Sequence, residues 1–117
     1  MKAWKINLAD YSVPLAPPVR DEEGVLRSEA NFNVKESLAQ MLFNPELRLS
    51  IDQSFEAKDL ADKIRSSKDG VLVDQKEMEM LRRSYNVVKS PKEHEMEFFK
   101  RIRDAEEVKV EEVIKGG

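Results

Sequence analysis

Cysteine is absent from all 117 residues. Disulfide staples, thiolate nucleophiles and cysteine-ligated zinc are therefore excluded, and a reducing compartment is the simplest expectation. Glycine is scarce, at four residues, and no segment spells the GxxxxGK or GxGxxG loop whose backbone amides cradle phosphates. Histidine occurs once, as His94, followed three residues later by Glu97. No second histidine completes a transition-metal set, so no metal and no cofactor are expected. Long apolar runs are missing too. Nothing approaches the roughly 18 residues of a membrane span, and MKAWKINLADYSVPL lacks the apolar centre of a signal peptide. The expectation is a cytoplasmic protein with no membrane partner.

An excess of positive charge is also lacking. Twenty basic residues against 23 acidic ones leave a net charge of -3, which gives no general attraction to phosphate backbones or anionic lipid. What is present suits one small folded domain. Apolar residues make up 40% of the chain and charged residues 37%, enough for one core beneath a well-solvated surface.

The chain reads as a proline-rich arm, residues 1–30, followed by a helical domain, residues 31–117. AWKINL alternates weakly as a strand. Pro14, Pro17 and Pro18 then fix φ and remove backbone donors, which favours an extended arm wrapping the domain or reaching a neighbour. The first helix starts at an Asn33-x-x-Glu36 capping box, carries Val34, Leu38, Met41 and Leu42 on one face, and stops near Asn44-Pro45. A short helical turn with Leu47 and Ile51 follows. Ser54 then caps a helix whose apolar stripe is Ala57, Leu60, Ala61 and Ile64.

Lys68-Asp69-Gly70 breaks that helix, and Val71-Leu72-Val73 is a brief extended run. Asp74-x-x-Glu77 opens a third helix with Met78, Leu81 and Tyr85 inward. Ser90-Pro91-x-Glu93 is the clearest helix start, combining a cap, a first-turn proline and a glutamate that reaches back. That helix should run to Glu106 and pack Met96, Phe99 and Ile102. VKVEEVI alternates as a terminal strand, and Gly116-Gly117 read as a frayed end. The expected fold is mainly α, a bundle of about four helices with short N- and C-terminal strands; the alternative is α+β with a small sheet.

Two familiar motifs fail on spacing. Placing Gly70 at the sixth position of a calcium-binding EF-hand loop puts Arg65 at the first and Lys76 at the twelfth, where carboxylates are needed. A helix-turn-helix built from residues 56–66 and 75–86 has a connection of about eight residues in place of about three or four. Nucleic-acid binding survives as an alternative through a local patch of Arg82, Arg83, Lys89 and Lys92, although the helix dipole explains the arginines equally. No nucleophile–base or paired-carboxylate pattern stands out, so an enzyme is not expected; a small enzyme without a recognisable motif is the further alternative.

Among the large anchors Trp4, Tyr11, Phe32, Phe43, Phe55, Tyr85, Phe98 and Phe99, most are expected in the core. Trp4 and Tyr11 flank a flexible-looking segment, and an arm that carries aromatics and prolines can dock on a protein at low ordering cost. Phe98 and Phe99 point about 100° apart on a helix, so either one ring is left for a partner or the buried face is broad. Partner-binding residues are therefore expected at Trp4, Tyr11, Phe98 and Phe99, in a protein–protein interaction module that engages a foreign protein or a second copy of itself.

The segment LADKIRSSKDGVLVDQKEMEMLRRSYN combines a helix, a polar break, a V-x-V run and a capped helix of mixed charge. Over roughly residues 55–103 this pattern resembles many small proteins encoded by tailed bacteriophages. The resemblance implies a virion-assembly, structural or host-interaction accessory protein, and a place in the virion besides the cytoplasm.

Overall fold

The computed structural model describes residues 2–109. Its elements are β1 (Lys2–Asn7), β2 (Tyr11–Arg20), β3 (Leu26–Phe32), α1 (Val34–Met41), α2 (Ile51–Ser66), β4 (Gly70–Asp74), α3 (Gln75–Val87), α4 (Met96–Arg103) and β5 (Glu106–Lys109). Short 3-10 turns at Pro45–Leu47 and Glu93–Glu95 precede α2 and α4.

The architecture is α+β, which overturns the expected mainly α bundle. Four helices are joined by five strands in two antiparallel sheets, one of order β4-β1-β5 and one formed by β2 and β3. The reason lies in β1. Trp4, Ile6 and the following Leu8 recur at period two, and the register sets Ile6 opposite Val71 and Trp4 opposite Val73. This makes one apolar face, on which the helices lay Leu38, Leu60, Ile64, Met78, Leu81 and Ile102. Lys5, Leu72 and Glu106 occupy the opposite face, where Leu72 is exposed. The N- and C-terminal segments do pair, Lys2 to Lys109 and Lys5 to Glu106, but as two strands of the main sheet.

Helix boundaries follow the caps. Asn33 accepts from the Glu36 amide, and Asp74 with Glu77 forms a reciprocal box. Two expected starts are displaced. The cap of α2 is Ser50 rather than Ser54: Ser50 Oγ accepts from the Gln53 amide at 3.1 Å, and Gln53 Oε1 accepts from the Ser50 amide at 2.9 Å. The S-x-x-Q box therefore begins the helix one turn earlier, at Ile51. Ser90 is no cap at all, because its φ of 51° turns the chain left-handed. There the reach-back comes from Glu95, which accepts from the Lys92 amide at 2.7 Å, and α4 runs only from Met96 to Arg103. The terminal strand begins at Glu106; the rest of VKVEEVI beyond Lys109, and Gly116-Gly117, lie outside the described residues.

The β2–β3 ribbon stands apart from the core. Its register joins Tyr11 to Phe32 and Val13 to Ala30 at the base, and Val19 to Arg27 and Arg20 to Leu26 near the tip, with an irregularity between Pro14 and Val19 that contains a cis Ala16–Pro17 bond. The radius of gyration is 16.4 Å, against about 13 Å for a compact domain of this length. An outlying hairpin is consistent with that difference. The expected division of the chain at residue 30 falls inside β3, and β1 with Ile6 and Leu8 belongs to the core.

Candidate functional site

The hairpin is fastened to the body at its base and bare at its tip. At the base, the Tyr11 and Phe32 rings stack at 4.9 Å, Phe32 meets Phe98 at 5.4 Å, Phe98 meets Phe99 at 5.1 Å, and Phe99 meets Tyr85 edge-on at 5.8 Å. This aromatic chain runs from the ribbon into the core. Its spacing falls in the range where tilted and offset rings attract beyond simple burial.

Polar groups set the angle of the ribbon. Tyr11 Oη donates to the His94 carbonyl at 2.9 Å and accepts from the Phe98 amide at 3.1 Å. Phe98 lies in the first turn of α4, where amides have no intrahelical acceptor and where Glu95 makes no side-chain cap. The hydroxyl of a strand residue thus completes the end of a helix. Burial pushes the Tyr11 phenol above its ordinary pKa. Arg101 Nη1 donates to the carbonyls of Asn7 and Ala9, each at 3.0 Å, while its guanidinium lies 5.6 Å from the Tyr11 ring centre. Asp10 accepts from the Asn31 side chain and from the Val34 amide, both at 2.9 Å. The Asn31 hydrogen bond, then that of Val34, holds its carboxyl below the usual range.

At the tip, Asp21 organises the turn. Its carboxylate accepts from the amides of Glu23 and Val25 and from Arg27 Nε, and the Arg27 bond chiefly lowers its pKa. Gly24, with φ of 80°, takes the left-handed position that the turn requires. Around this turn the apolar side chains have no cover: Val19 is 55% exposed, Val25 47% and Leu26 58%. A second bare apolar pair lies on α2, where Ile51 and Phe55, four residues apart on the outer face, are 78% and 66% exposed.

The residues singled out from the sequence fall into different places. Tyr11 anchors the ribbon. Trp4 is half-buried in the main sheet beneath the Arg82 guanidinium, 5.5 Å from its ring centre. Phe98 and Phe99 are both buried, so α4 has a broad inward face and neither ring is offered to a partner. Arg82 and Arg83 diverge, the first to Trp4 and the second to a cavity of about 240 Å³ shared with Leu47, Leu49, Glu56 and Glu79. Lys89 pairs loosely with Glu46 at 3.8 Å, and Lys92 sits before the second 3-10 turn. The four cations do not make one face.

Sequence reasoning missed Val19, Val25, Leu26, Ile51 and Phe55. The ribbon was signalled by Asp21-Glu22-Glu23-Gly24 between two extended stretches, a turn of hairpin type, and by the alternation of Leu26, Ser28, Ala30 and Phe32. A cleft of about 710 Å³ lies between the open sheet face and α4 and mixes Lys5 and Lys100 with Asp69, Glu97, Asp104 and Glu106. Its Asp104 carboxylate is engaged by Arg103 at 2.9 Å. Among the described residues no group of three acidic or histidine side chains is placed to hold a metal, and no helix is long and apolar enough to cross a membrane. Compared with protein-family models, curated proteins and solved structures, the chain matches none.

Proposed function

We propose that this protein is a protein–protein interaction module whose working part is the β2–β3 hairpin. One observation carries the reading. The turn is held by the Asp21 network and the base by Tyr11, Asp10 and Arg101, yet Val19, Val25 and Leu26 between them face solvent. An ordered ribbon with a bare apolar end binds at low entropic cost, because its backbone is already fixed before a partner arrives. Such anchors dominate protein interfaces when a pocket desolvates them. A two-stranded ribbon is also marginal in water on its own and gains from being covered. The likeness to small tailed-bacteriophage proteins favours an assembly or host-interaction role, exercised in the cytoplasm or on a forming virion.

The test is photo-crosslinking in the producing cell, with a photoreactive residue at Leu26 of the full chain and a control at Lys58 on α2. A discrete protein adduct from Leu26 and none from Lys58 is the expected result. Absence of any adduct from Leu26, or equal labelling from both sites, refutes the proposal.

A further inference from the structure

The hairpin has two outer edges, and they differ. The β2 edge carries Pro14, Pro17 and Pro18, which have no N–H to offer a further strand. The β3 edge, Leu26–Phe32, contains neither proline nor glycine, and among the described residues no third strand pairs with it. One edge is closed by its sequence and the other is left open along seven residues.

We infer that the β3 edge pairs with the β3 edge of a second copy of this chain, in antiparallel register centred on Ser28. The inference rests on the hairpin being the interaction element and names its partner. A two-fold symmetric antiparallel pair must place one residue opposite itself. Centring on Ser28 sets Arg27 opposite Glu29 on one face, twice, and Leu26 opposite Ala30 on the other, twice. Centring on Glu29 sets carboxylate against carboxylate, and centring on Arg27 sets guanidinium against guanidinium. Among the centrings within the strand, the one on Ser28 sets opposite charges against each other. Arg27 gives its Nε to Asp21 of its own turn, at 2.8 Å, which leaves its terminal nitrogens as the donors toward Glu29 of the other copy. Because directly opposed residues share a face, Leu26, Ala30, Val13 and Phe32 of both copies line one side of a four-stranded sheet. The marginal ribbon becomes the inner part of a sheet, and its one unprotected edge disappears.

The experiment uses the full chain, measured by light scattering over a dilution series at low salt, as wild type, Arg27→Glu, Glu29→Arg and an equimolar mixture of the two variants. The wild type is expected to dimerise. Each variant replaces two attractive pairs by two repulsive ones and should associate at least roughly ten-fold more weakly. The mixture restores opposite charges at both positions and should regain the dimer, which a merely misfolded variant cannot do. A wild type that stays monomeric, variants that associate like the wild type, or a mixture no better than its parts would each overturn the inference. A monomeric wild type that still crosslinks from Leu26 to a different protein would remove self-pairing and keep the interaction reading; loss of both signals would remove both.

Discussion

Removing a single hydroxyl, by Tyr11→Phe, should loosen the hairpin without altering its composition of rings. The stack on Phe32 survives, because the ring stays. What is lost is the acceptor of the part-buried Phe98 amide and the donor to the His94 carbonyl. An orphaned buried donor costs about 1–3 kcal/mol, and partial access of water to this site places the expectation at about 1–2 kcal/mol. For a domain near this size that corresponds to a fall in Tm on the order of 4–12 °C. Thermal melts followed by circular dichroism read the loss, and limited proteolysis within residues 12–30 reads the loosening. The alkaline limb supplies a second signature. The Tyr11 pKa is raised on folding, so its contribution is full below the ordinary phenol value of 10.0 and is lost as pH rises through the folded pKa. The variant should therefore lose less stability than the wild type above that point. A variant that melts with the wild type and is cleaved no faster would refute the claim that this hydroxyl fixes the ribbon to α4.

Other expectations follow from the same geometry. Asp10→Asn should flatten the acid limb of stability measured by urea titration. The Asp10 pKa is lowered on folding, so its contribution is present above the usual carboxylate range and lost as pH falls through the folded value. Ser50→Ala should cost about 0.5–2 kcal/mol in chemical denaturation, whereas Ser90→Ala, at a position that caps nothing, should not lower stability by loss of a cap. Arg101→Met removes the Nη1 group that donates to both carbonyls and should cost about 1–2 kcal/mol, with faster proteolysis of the hairpin. Phe55→Ser removes an aromatic ring that touches solvent, and the stability read from thermal melts should change little, within about 0.5 kcal/mol.

Helices were the legible part of this sequence because each carries a local signature. Asn33 and Asp74 act on amides three residues away, and the stripe of Ala57, Leu60, Ala61 and Ile64 lies inside one element. Strands were less legible because their partners are remote. AWKINL reads weakly alone and becomes a central strand only through Val71 and Val73. Prolines drew attention away from the hairpin, since they mark an extended chain without saying that Leu26–Phe32 returns along it. Ser90-Pro91-x-Glu93 misled for a related reason: the motif is local, but one amide in the first turn of α4 is satisfied by Tyr11, at the far end of the chain in sequence. The same applies to the candidate site. Tyr11 stood out for its chemistry, whereas Leu26 and Phe55 are ordinary apolar residues until burial is known.

The position of β1 has a kinetic consequence. Among the described strands it is the first to be synthesised, yet its two neighbours are Gly70–Asp74 and Glu106–Lys109. On the ribosome it waits unpaired until β4 is made, and its second edge is closed only once β5 follows. Such distant pairings slow folding relative to a helical bundle of equal length, and they expose an apolar strand to neighbouring nascent chains in the interval. For this protein, the time between making β1 and sealing it with β5 is the period in which aggregation competes with folding.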